Sequence, residues 1–281
     1  MQHIPVMSKE VMDRLALKGG ETVLDATVGL GGHSKLILEA IGPTGHLIAF
    51  DRDARNLDEA KNRLSDYASQ ITFIHDSFGN VANHAMPPLD AALFDLGFSS
   101  VHVDDPARGF SFQSDGPLDM RYDQTGDMTA ATIVNEWGED ELAEIFRIYG
   151  EELLARPIAQ AICEAREQKR FETTTELADV VSLVKPRRGR IHPATQIFQA
   201  LRIAVNGELT ELERALESMK TLLKPNGRLC IITFHSLEDR IVKQEFKKED
   251  FKNAELIKPS HEEIAENPRA RSAKLRFALK N

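Results

Sequence analysis

Four short apolar segments recur at a regular spacing in the first hundred residues, and this spacing constrains the fold more than any other feature of the chain. They begin about 20 to 25 residues apart and are Thr22–Ala26, His46–Asp51, Ile71–His75 and Asp90–Leu96. Helix-like stretches such as Ser34–Ile41 and Ala54–Tyr67 separate them. This alternation predicts an open α/β sheet whose strands are parallel and buried on both faces.

The alternation stops after Ser100 and resumes only at Arg228–Phe234, behind the turn signal Lys-Pro-Asn-Gly at 224–227. A helix predicted over Glu208–Leu223 has leucines at helical spacing and is expected to pack on the sheet. The segment before it shows helical patterns and no convincing strand alternation, around Glu139–Tyr149, Leu153–Gln168 and Thr175–Val184. We therefore expect an α/β domain formed by 1–104 and 203–281, and a small helical domain, 105–202, inserted into it.

The end of the chain also has a strand pattern. Lys274–Lys280 alternates Leu and Phe with Lys and Arg, as expected of a strand with one buried face. Together with Ala254–Lys258, it is predicted to form a pair of strands that closes the edge of the sheet.

The composition is that of a folded globular protein and excludes several classes. Hydrophobic residues make up 42% and charged residues 28% of the 281, unlike collagen-like or disordered chains. Cys163 and Cys230 are the only cysteines, so neither a disulfide framework nor a zinc finger is supported. No apolar run approaches the ~20 residues of a membrane span, and the first residues lack the apolar core of a signal peptide. We expect a cytoplasmic protein that contacts no membrane.

A glycine-rich loop, DATVGLGGH, follows the first predicted strand from Asp25 onward. Its glycines would let the backbone approach a ligand, and ligands of open α/β sheets bind beyond the carboxyl ends of the strands, where this loop falls. Asp51 closes the second strand, 20 residues after Gly31, where an acid accepts hydrogen bonds from ribose hydroxyls. The loop and this acid together predict a nucleotide-like cofactor.

Plainer interpretations exist for both features. The loop alone could be an ordinary turn, and Asp51 could be the N-cap of the helix that begins at Ala54. A dinucleotide is disfavoured because the GxGxxG fingerprint requires a third glycine where this chain has Ser34 or Lys35.

Other strand ends bring polar residues to the same predicted edge. Phe78 follows the third strand and is either a core residue or a ring that stacks on adenine. Asp95 and the hydroxyls of Ser99 and Ser100 follow the fourth strand, and His235, either structural or functional, follows the fifth. Polar groups at several strand ends predict a binding site better than any one of them does.

Two basic runs are candidates for phosphate contacts, although the formal net charge is -9. Lys185–Arg190 lies in the predicted insertion and Arg269–Arg276 beside the last strand, and each has four Lys or Arg residues. Such runs are either solvated faces or surfaces that flank a nucleic-acid cleft.

These motifs occur together in one known family. In order, the matching segments are DATVGLGGHS, AFDRD, DLGFSS, RGFSFQSDGPLDMRYD, HPATQIFQALRIAVNGEL, FHSLEDRIVK and ENPRARS. The chain closely resembles, nearly end to end, the bacterial MraW family of small-subunit ribosomal RNA cytosine-N4 methyltransferases. The resemblance implies a Rossmann-like class I S-adenosylmethionine-dependent methyltransferase with an inserted helical substrate-recognition domain. It also implies methylation of the exocyclic N4 of a cytidine in the decoding region of 16S ribosomal RNA.

The resemblance further implies which residues bind S-adenosyl-L-methionine. The methionine end would contact Gly31, Gly32 and His33, the ribose Asp51, and the adenine side Phe78 and Asp95. A further cofactor position, commonly Gln in relatives, is His102 here. The transfer needs no metal.

The chemistry requires an orienting group, because the lone pair of the cytosine amine is delocalised into the ring and the amine must lie in line with the methyl group. Many amino-methyltransferases carry (N/D)PP(Y/F) after the fourth strand, but this chain has DLGF there. We predict that Asp95 or a nearby backbone carbonyl accepts the amine proton, and that Phe110 or Phe112 stacks on an exposed or flipped base.

Two other functions stay open on the residues alone. A nicotinamide oxidoreductase would keep the glycine loop and Asp51 but leave the basic insertion unexplained. A ribosome-assembly factor would keep the fold and bind RNA without methyl transfer. The expected partner is small-subunit ribosomal RNA, within the assembled subunit, because an acidic protein suits a folded particle better than loose RNA. A homodimer is compatible with the sequence.

Overall fold

The computed structural model of the chain describes residues 5–97, 100–187, 189 and 191–281. The chain forms two compact units, one of Met1–Gly97 with Leu209–Asn281 and the other of Phe98–Glu208. The predicted insertion, 105–202, lies within the second unit, which begins before it and ends after it.

The first unit is built on a seven-stranded sheet. The strands are β1 (Thr22–Asp25), β2 (His46–Asp51), β3 (Ile71–His75), β4 (Leu89–Asp95), β5 (Leu223–Thr233), β6 (Phe251–Ile257) and β7 (Lys274–Lys280). Their order is β3-β2-β1-β4-β5-β7-β6, and β7 runs antiparallel between β5 and β6 while β1 to β5 pair in parallel. The predicted α/β class and the predicted closing pair of strands are confirmed.

The helices, in chain order, are α1 (Ser8–Leu15), α2 (Gly32–Ile41), α3 (Ala54–Arg63), α4 (Ser100–Asp104), α5 (Ala130–Glu136), α6 (Glu139–Ile148), α7 (Ala155–Gln168), α8 (Thr174–Val184), α9 (Thr195–Asn206), α10 (Glu208–Leu222), α11 (Ser236–Glu245) and α12 (His261–Glu266). The second unit contains α4 to α9. Within its described residues, the only β pairing is an isolated bridge between Pro117 and Thr173. No helix in the described part of the chain combines the length and apolar character that a membrane crossing requires.

The structure corrects several predicted boundaries. The helix expected over Ala54–Tyr67 ends at Arg63, and a 3-10 turn follows it. The predicted turn at 224–227 does not precede β5 but bulges out of it, because ladder pairing already begins at Leu223 and Asn226 adopts a left-handed φ of 63°. Helix α9 was not predicted from the sequence, although Gln199, Arg202 and Asn206 recur in it at helical spacing, and two of these polar residues, Arg202 and Asn206, are buried.

The sheet is buried on both faces, as the apolar strands require. Alternate residues point to opposite sides, so Val23, Leu47 and Leu93 pack in one core while Leu24, Ile48 and Phe94 pack in another. The second unit has a separate helical core that includes Phe146, Ile158, Leu177 and Leu201. Because both faces of the sheet are covered, its polar side chains lie at the carboxyl ends of the parallel strands.

Candidate active site

Three aspartates end three neighbouring parallel strands and therefore lie on one edge of the sheet. Asp25 ends β1, Asp51 ends β2 and Asp95 ends β4. Asp25 is 1% exposed, whereas Asp51 and Asp95 are half-buried. Of these three aspartates, Asp51 and Asp95 are the ones that a ligand can reach.

The glycine-rich loop connects these strand ends through its backbone. The N–H of Ala26 donates to the carbonyl oxygen of Leu93 in β4 (2.9 Å), and that of Val28 to Phe50 in β2 (2.8 Å). The N–H of Gly29 donates to Oδ2 of Asp51 (2.8 Å). Each hydrogen bond fixes the loop against a strand that carries one of the accessible acids.

Two of the loop glycines have a packing role that the sequence did not indicate. Gly31 has a φ of 80°, and a Cβ there would lie 3.1 Å from Cδ1 of Leu64. A Cβ on Gly32 would lie 3.0 Å from Cγ of Pro5. The absent side chains at 31 and 32 therefore make room for Leu64 and Pro5, whatever ligand the backbone of the loop also approaches. Gly29, with a φ of 51°, meets only the Thr27 carbonyl oxygen, at 3.9 Å.

Asp51 is held as a hydrogen-bond acceptor. Besides Gly29, the N–H of Asp53 (2.8 Å) and Nδ2 of Asn56 (3.2 Å) donate to its carboxylate. Burial raises the pKa of Asp51 to about 6, against the opposing effect of these hydrogen bonds. The alternative that Asp51 caps α3 is wrong, because Asp53 is the N-cap and accepts the N–H of Arg55 (2.9 Å).

His33 and Asp95 face each other with unsatisfied polar atoms. His33 is 6% exposed, and its Nε2 lies 3.6 Å from Oδ2 of Asp95, too far for a hydrogen bond. Both ring nitrogens of His33 and Oδ1 of Asp95 are buried without a hydrogen-bond partner among the described residues. Because buried polar atoms are almost always paired with protein, water or a ligand, these atoms mark a place that water or a polar ligand can occupy.

Phe78 and His235 occupy the ends of β3 and β5. Phe78 begins a 3-10 turn and is half-buried, with its ring edge-on to Phe94 at 5.7 Å. His235 is the N-cap of α11, where Nδ1 accepts the N–H of Glu238 (3.4 Å) and the Glu238 carboxylate accepts the N–H groups of Phe234 and His235. Nδ1 of His235 thus has a structural role, whereas its Nε2 is buried without a hydrogen-bond partner among the described residues, so both interpretations of His235 stay open.

His102 lies in the second unit, whereas the other six predicted cofactor residues lie in the first. It is 3% exposed, and its ring lies 5.0 Å from Phe110 and 5.2 Å from Tyr122. Phe110 stacks on Tyr122 at 5.4 Å, and Phe112 packs against His192 and Phe198. Both rings predicted to stack on a base are thus partly buried in aromatic contacts of the second unit.

Both basic runs form contacts within the protein. Lys185 donates to Glu152 and Gln196, each at 2.5 Å. In the second run, Lys274 (2.9 Å) and Arg276 (2.6 Å) both bind the Asp239 carboxylate. Part of each basic run is thus engaged within the protein, while Arg187, Arg269 and Arg271 are exposed, and both interpretations of the runs stay open. The predicted contributions of Arg188, Arg190 and Ser99, and of the Ser100 side chain, lie outside the described residues.

Sequence reasoning missed two residues that organise the loop. Ser34 donates its hydroxyl to the buried Asp25 (2.6 Å), and the Thr27 hydroxyl accepts the N–H of Asp95 (2.7 Å). The signal for Ser34 was its occurrence where a dinucleotide fingerprint requires glycine. No sequence pattern pointed to Thr27, because its partner is 68 residues away.

Three features define a class I S-adenosylmethionine-dependent methyltransferase. They are the strand order with an antiparallel seventh strand, the loop after β1 and the acid that ends β2. The model of the MraW methylase family matches residues 1–281, so the chain belongs to the MraW methylase family. It is an S-adenosylmethionine-dependent methyltransferase of small-subunit ribosomal RNA. This membership leaves the nicotinamide alternative without support.

Relatives match along nearly the whole chain. Ribosomal RNA small subunit methyltransferase H of Trichodesmium erythraeum is 48% identical, with 100% of this chain and 99% of the relative covered. The protein of the same name from Koribacter versatilis is 46% identical, with 99% and 94% covered. A crystal structure of a candidate rRNA methylase from Clostridium thermocellum has a TM-score of 0.51 at 14% identity, with 99% of this chain and 100% of the other covered, and shares the fold.

Proposed function

We propose that this chain methylates the exocyclic N4 of a cytidine in the decoding region of 16S ribosomal RNA. The observation that supports a cofactor at this edge is the set of buried, unpartnered polar atoms of His33 and Asp95 beside the accessible acceptor Asp51. The choice of N4 and of the decoding region rests on the family resemblance of the sequence motifs.

The residues at the strand ends suit S-adenosylmethionine. We propose that Asp51 accepts hydrogen bonds from the ribose hydroxyls, as an acid at the end of β2 does in nucleotide sites. Gly31, Gly32 and His33 would contact the methionine end, and Phe78 and Asp95 the adenine side, with His102 as a further contact. When bound, S-adenosylmethionine supplies a methyl group on a positively charged sulfur.

Asp95 has a second proposed role, in orienting the cytosine amine. The bound cofactor would supply the methyl carbon to which the N4 lone pair bonds, and the electron pair of the carbon–sulfur bond that breaks would stay on its sulfur. The amine then loses one proton, and Oδ1 of Asp95, which has no hydrogen-bond partner among the described residues, is an acceptor for it. A nearby backbone carbonyl is the alternative group for orienting the amine.

RNA recognition is assigned to the inserted segment 105–202. Phe110 and Phe112 keep part of their rings exposed, so either can stack on an unpaired base. The acidic net charge favours an assembled small subunit over naked RNA as the substrate. We propose a cytoplasmic enzyme, and a homodimer is compatible with its sequence.

The proposal is tested by transferring labelled methyl groups from S-adenosylmethionine to small ribosomal subunits that lack the modification, with naked ribosomal RNA in parallel. Nucleoside analysis of the product should identify N4-methylcytidine, and subunits should accept more label than naked RNA. Methylation of another atom would contradict the N4 assignment. Intact cofactor binding without transfer to either RNA would favour the ribosome-assembly role.

A further inference from the structure

The Thr27 hydroxyl substitutes for a missing backbone acceptor at the end of β1. The last register pair between β1 and β4 joins Asp25 to Leu93, and β4 continues to Asp95 after β1 has ended. Leu96 donates its N–H to Ile232 in β5 (3.0 Å), so the preceding N–H, that of Asp95, points toward β1. There it meets Oγ1 of Thr27 at 2.7 Å.

The position of this hydroxyl is itself fixed by a buried carboxylate. The N–H of Thr27 donates to Oδ1 of Asp25 (3.1 Å), and Oδ2 of Asp25 accepts the Ser34 hydroxyl (2.6 Å). Asp25 is almost fully buried, so its two hydrogen bonds join the start of the loop to the first turn of α2 away from solvent. Two residues after Thr27, Gly29 binds Asp51. One loop thus holds both accessible acids by separate contacts.

We propose that Thr27 is a positioning residue for methyl transfer, whose hydroxyl fixes the backbone of Asp95 and so aims its carboxylate. This inference rests on the proposed role of Asp95 in orienting the amine. Thr27 acts through Asp95 rather than on the substrate. Because Asp95 is also proposed to contact the adenine side, cofactor affinity falls when Thr27 is lost, but less than turnover does, since Asp51 continues to support cofactor binding.

The test compares Thr27→Val, which keeps the side-chain shape but removes the acceptor, with Thr27→Ser, which keeps the hydroxyl. Hydrogen exchange of the Asp95 amide, followed by NMR without cofactor, should speed up at least about tenfold in Thr27→Val. In the same variant, kcat should fall about tenfold, while Kd for S-adenosylhomocysteine changes less than about threefold. Thr27→Ser should stay within about twofold of the unmodified protein in all three measurements.

Thr233→Val is the matched control. Thr233 is a buried threonine at the end of β5, and its hydroxyl donates to the Lys274 carbonyl oxygen (3.4 Å) rather than to either acid-bearing strand end. This variant should lose some stability but keep kcat and the exchange rate of the Asp95 amide. An equal loss of kcat in Thr233→Val and Thr27→Val would assign the effect to general loosening of the sheet and overturn the proposal.

Asp95→Asn separates this inference from the proposed function. If Asp95→Asn lowers kcat but Thr27→Val leaves both kcat and amide exchange unchanged, Thr27 has no positioning role. If Asp95→Asn has full activity, the proposed role of Asp95 fails, and the positioning role of Thr27 fails with it. Equal defects in Thr27→Ser and Thr27→Val would also overturn the inference, because the hydroxyl would then be irrelevant.

Discussion

At the scale of single residues, two aspartates on the same sheet edge differ in what surrounds them. Asp25 is enclosed, and burial raises its pKa against the hydrogen bonds from Ser34 and Thr27. Asp51 keeps an accessible side, and its pKa is raised to about 6. Because this folded-state pKa lies above the ordinary value of 3.8, Asp51 favours folding below about pH 4, and that contribution is lost as the pH rises through 6.

The raised pKa of Asp51 predicts how cofactor affinity depends on pH. Only the ionised carboxylate accepts hydrogen bonds from both ribose hydroxyls, so affinity for S-adenosylhomocysteine should be full above pH 6 and fall about tenfold per pH unit below it. Calorimetry between pH 5 and 8 measures this. Asp51→Ala should bind S-adenosylhomocysteine weakly at every pH, and its affinity should show no transition near pH 6.

Asp76→Asn is the control for this pH profile. Burial raises the pKa of Asp76, but hydrogen bonds from Asn80 and His84 outweigh it and lower the pKa overall. Asp76 is therefore ionised throughout the range measured, and its variant should keep a midpoint near pH 6. A profile of the unmodified protein that is flat between pH 5 and 7 would contradict the assignment of Asp51 to the ribose.

At the scale of secondary-structure elements, the first turn of α2 depends on close approach to α3. Gly31 is the left-handed N-cap of α2 and lies against Leu64, the C-cap residue that follows α3. A side chain at 31 would combine an unfavourable backbone conformation with a steric conflict. The loop between β1 and α2 is thus fixed by packing as well as by hydrogen bonds.

We predict that Gly31→Ala lowers the free energy of unfolding by about 3 kcal/mol, of which about 1 to 2 reflects the left-handed backbone and the rest the contact with Leu64. Gly207→Ala is the control, because Gly207 is also left-handed, with a φ of 62°, but has no atom within 4 Å of the Cβ position. Urea denaturation measures both. Equal losses would show that Leu64 gives way and that close packing is not the reason for glycine at 31.

Ion pairs connect the antiparallel strand β7 to α11. Asp239 in α11 binds both Lys274 and Arg276 of β7, and Arg276 is only 9% exposed. Although burial raises the pKa of Asp239, the hydrogen bonds from Arg276 and Lys274 lower it overall, so this contribution to stability is lost as pH falls through the folded-state pKa, below 3.8.

Asp239→Asn should therefore destabilise the protein by about 2 kcal/mol, because it leaves a nearly buried guanidinium without its counter-charge. The matched change Asp58→Asn removes an exposed pair with Lys61 (3.3 Å) and should cost less than about 1 kcal/mol. Urea denaturation at pH 7 compares the two variants. A loss in Asp239→Asn no greater than in Asp58→Asn would mean that β7 does not depend on this contact.

At the scale of the whole molecule, the proposed cofactor residues and the basic run Lys185–Arg190 lie mostly in different units, each with its own core. The residues proposed to hold the cofactor lie in the first unit, except His102. The basic run of the second unit contains Lys185, which is engaged by Glu152, and Arg187, which is exposed. On an acidic protein, attraction to RNA must come from such local groups.

We predict that changing Arg187, Arg188 and Arg190 together to Ala weakens RNA binding and reduces its salt dependence by about one unit of slope for each phosphate that is no longer neutralised. Removing three exposed charges from the first unit, in Lys9→Ala, Lys61→Ala and Arg63→Ala, is the control and should leave the slope unchanged. Filter binding to a small-subunit RNA fragment over a range of salt concentrations measures both. An unaltered slope in the triple Arg variant would remove this run from the interface.

The sequence by itself determined the sheet, because buried parallel strands require apolar runs and their spacing reveals the helices between them. It also placed Asp51 and Asp95 at the strand ends, since the position of a residue at the end of a run follows directly from the pattern. Helix α9 was not predicted, although its polar residues Gln199, Arg202 and Asn206 recur at helical spacing, and Arg202 and Asn206 are buried.

Only the tertiary structure decided what each loop residue touches. It alone paired Thr27 with Asp95 and brought Leu64 against Gly31, since both contacts join segments far apart in the sequence. It also placed Lys274 and Arg276, two of the four basic residues of the run Arg269–Arg276, against Asp239. Local patterns specify strands and helices because these depend on neighbouring residues, whereas burial and long-range hydrogen bonds depend on how the elements pack together.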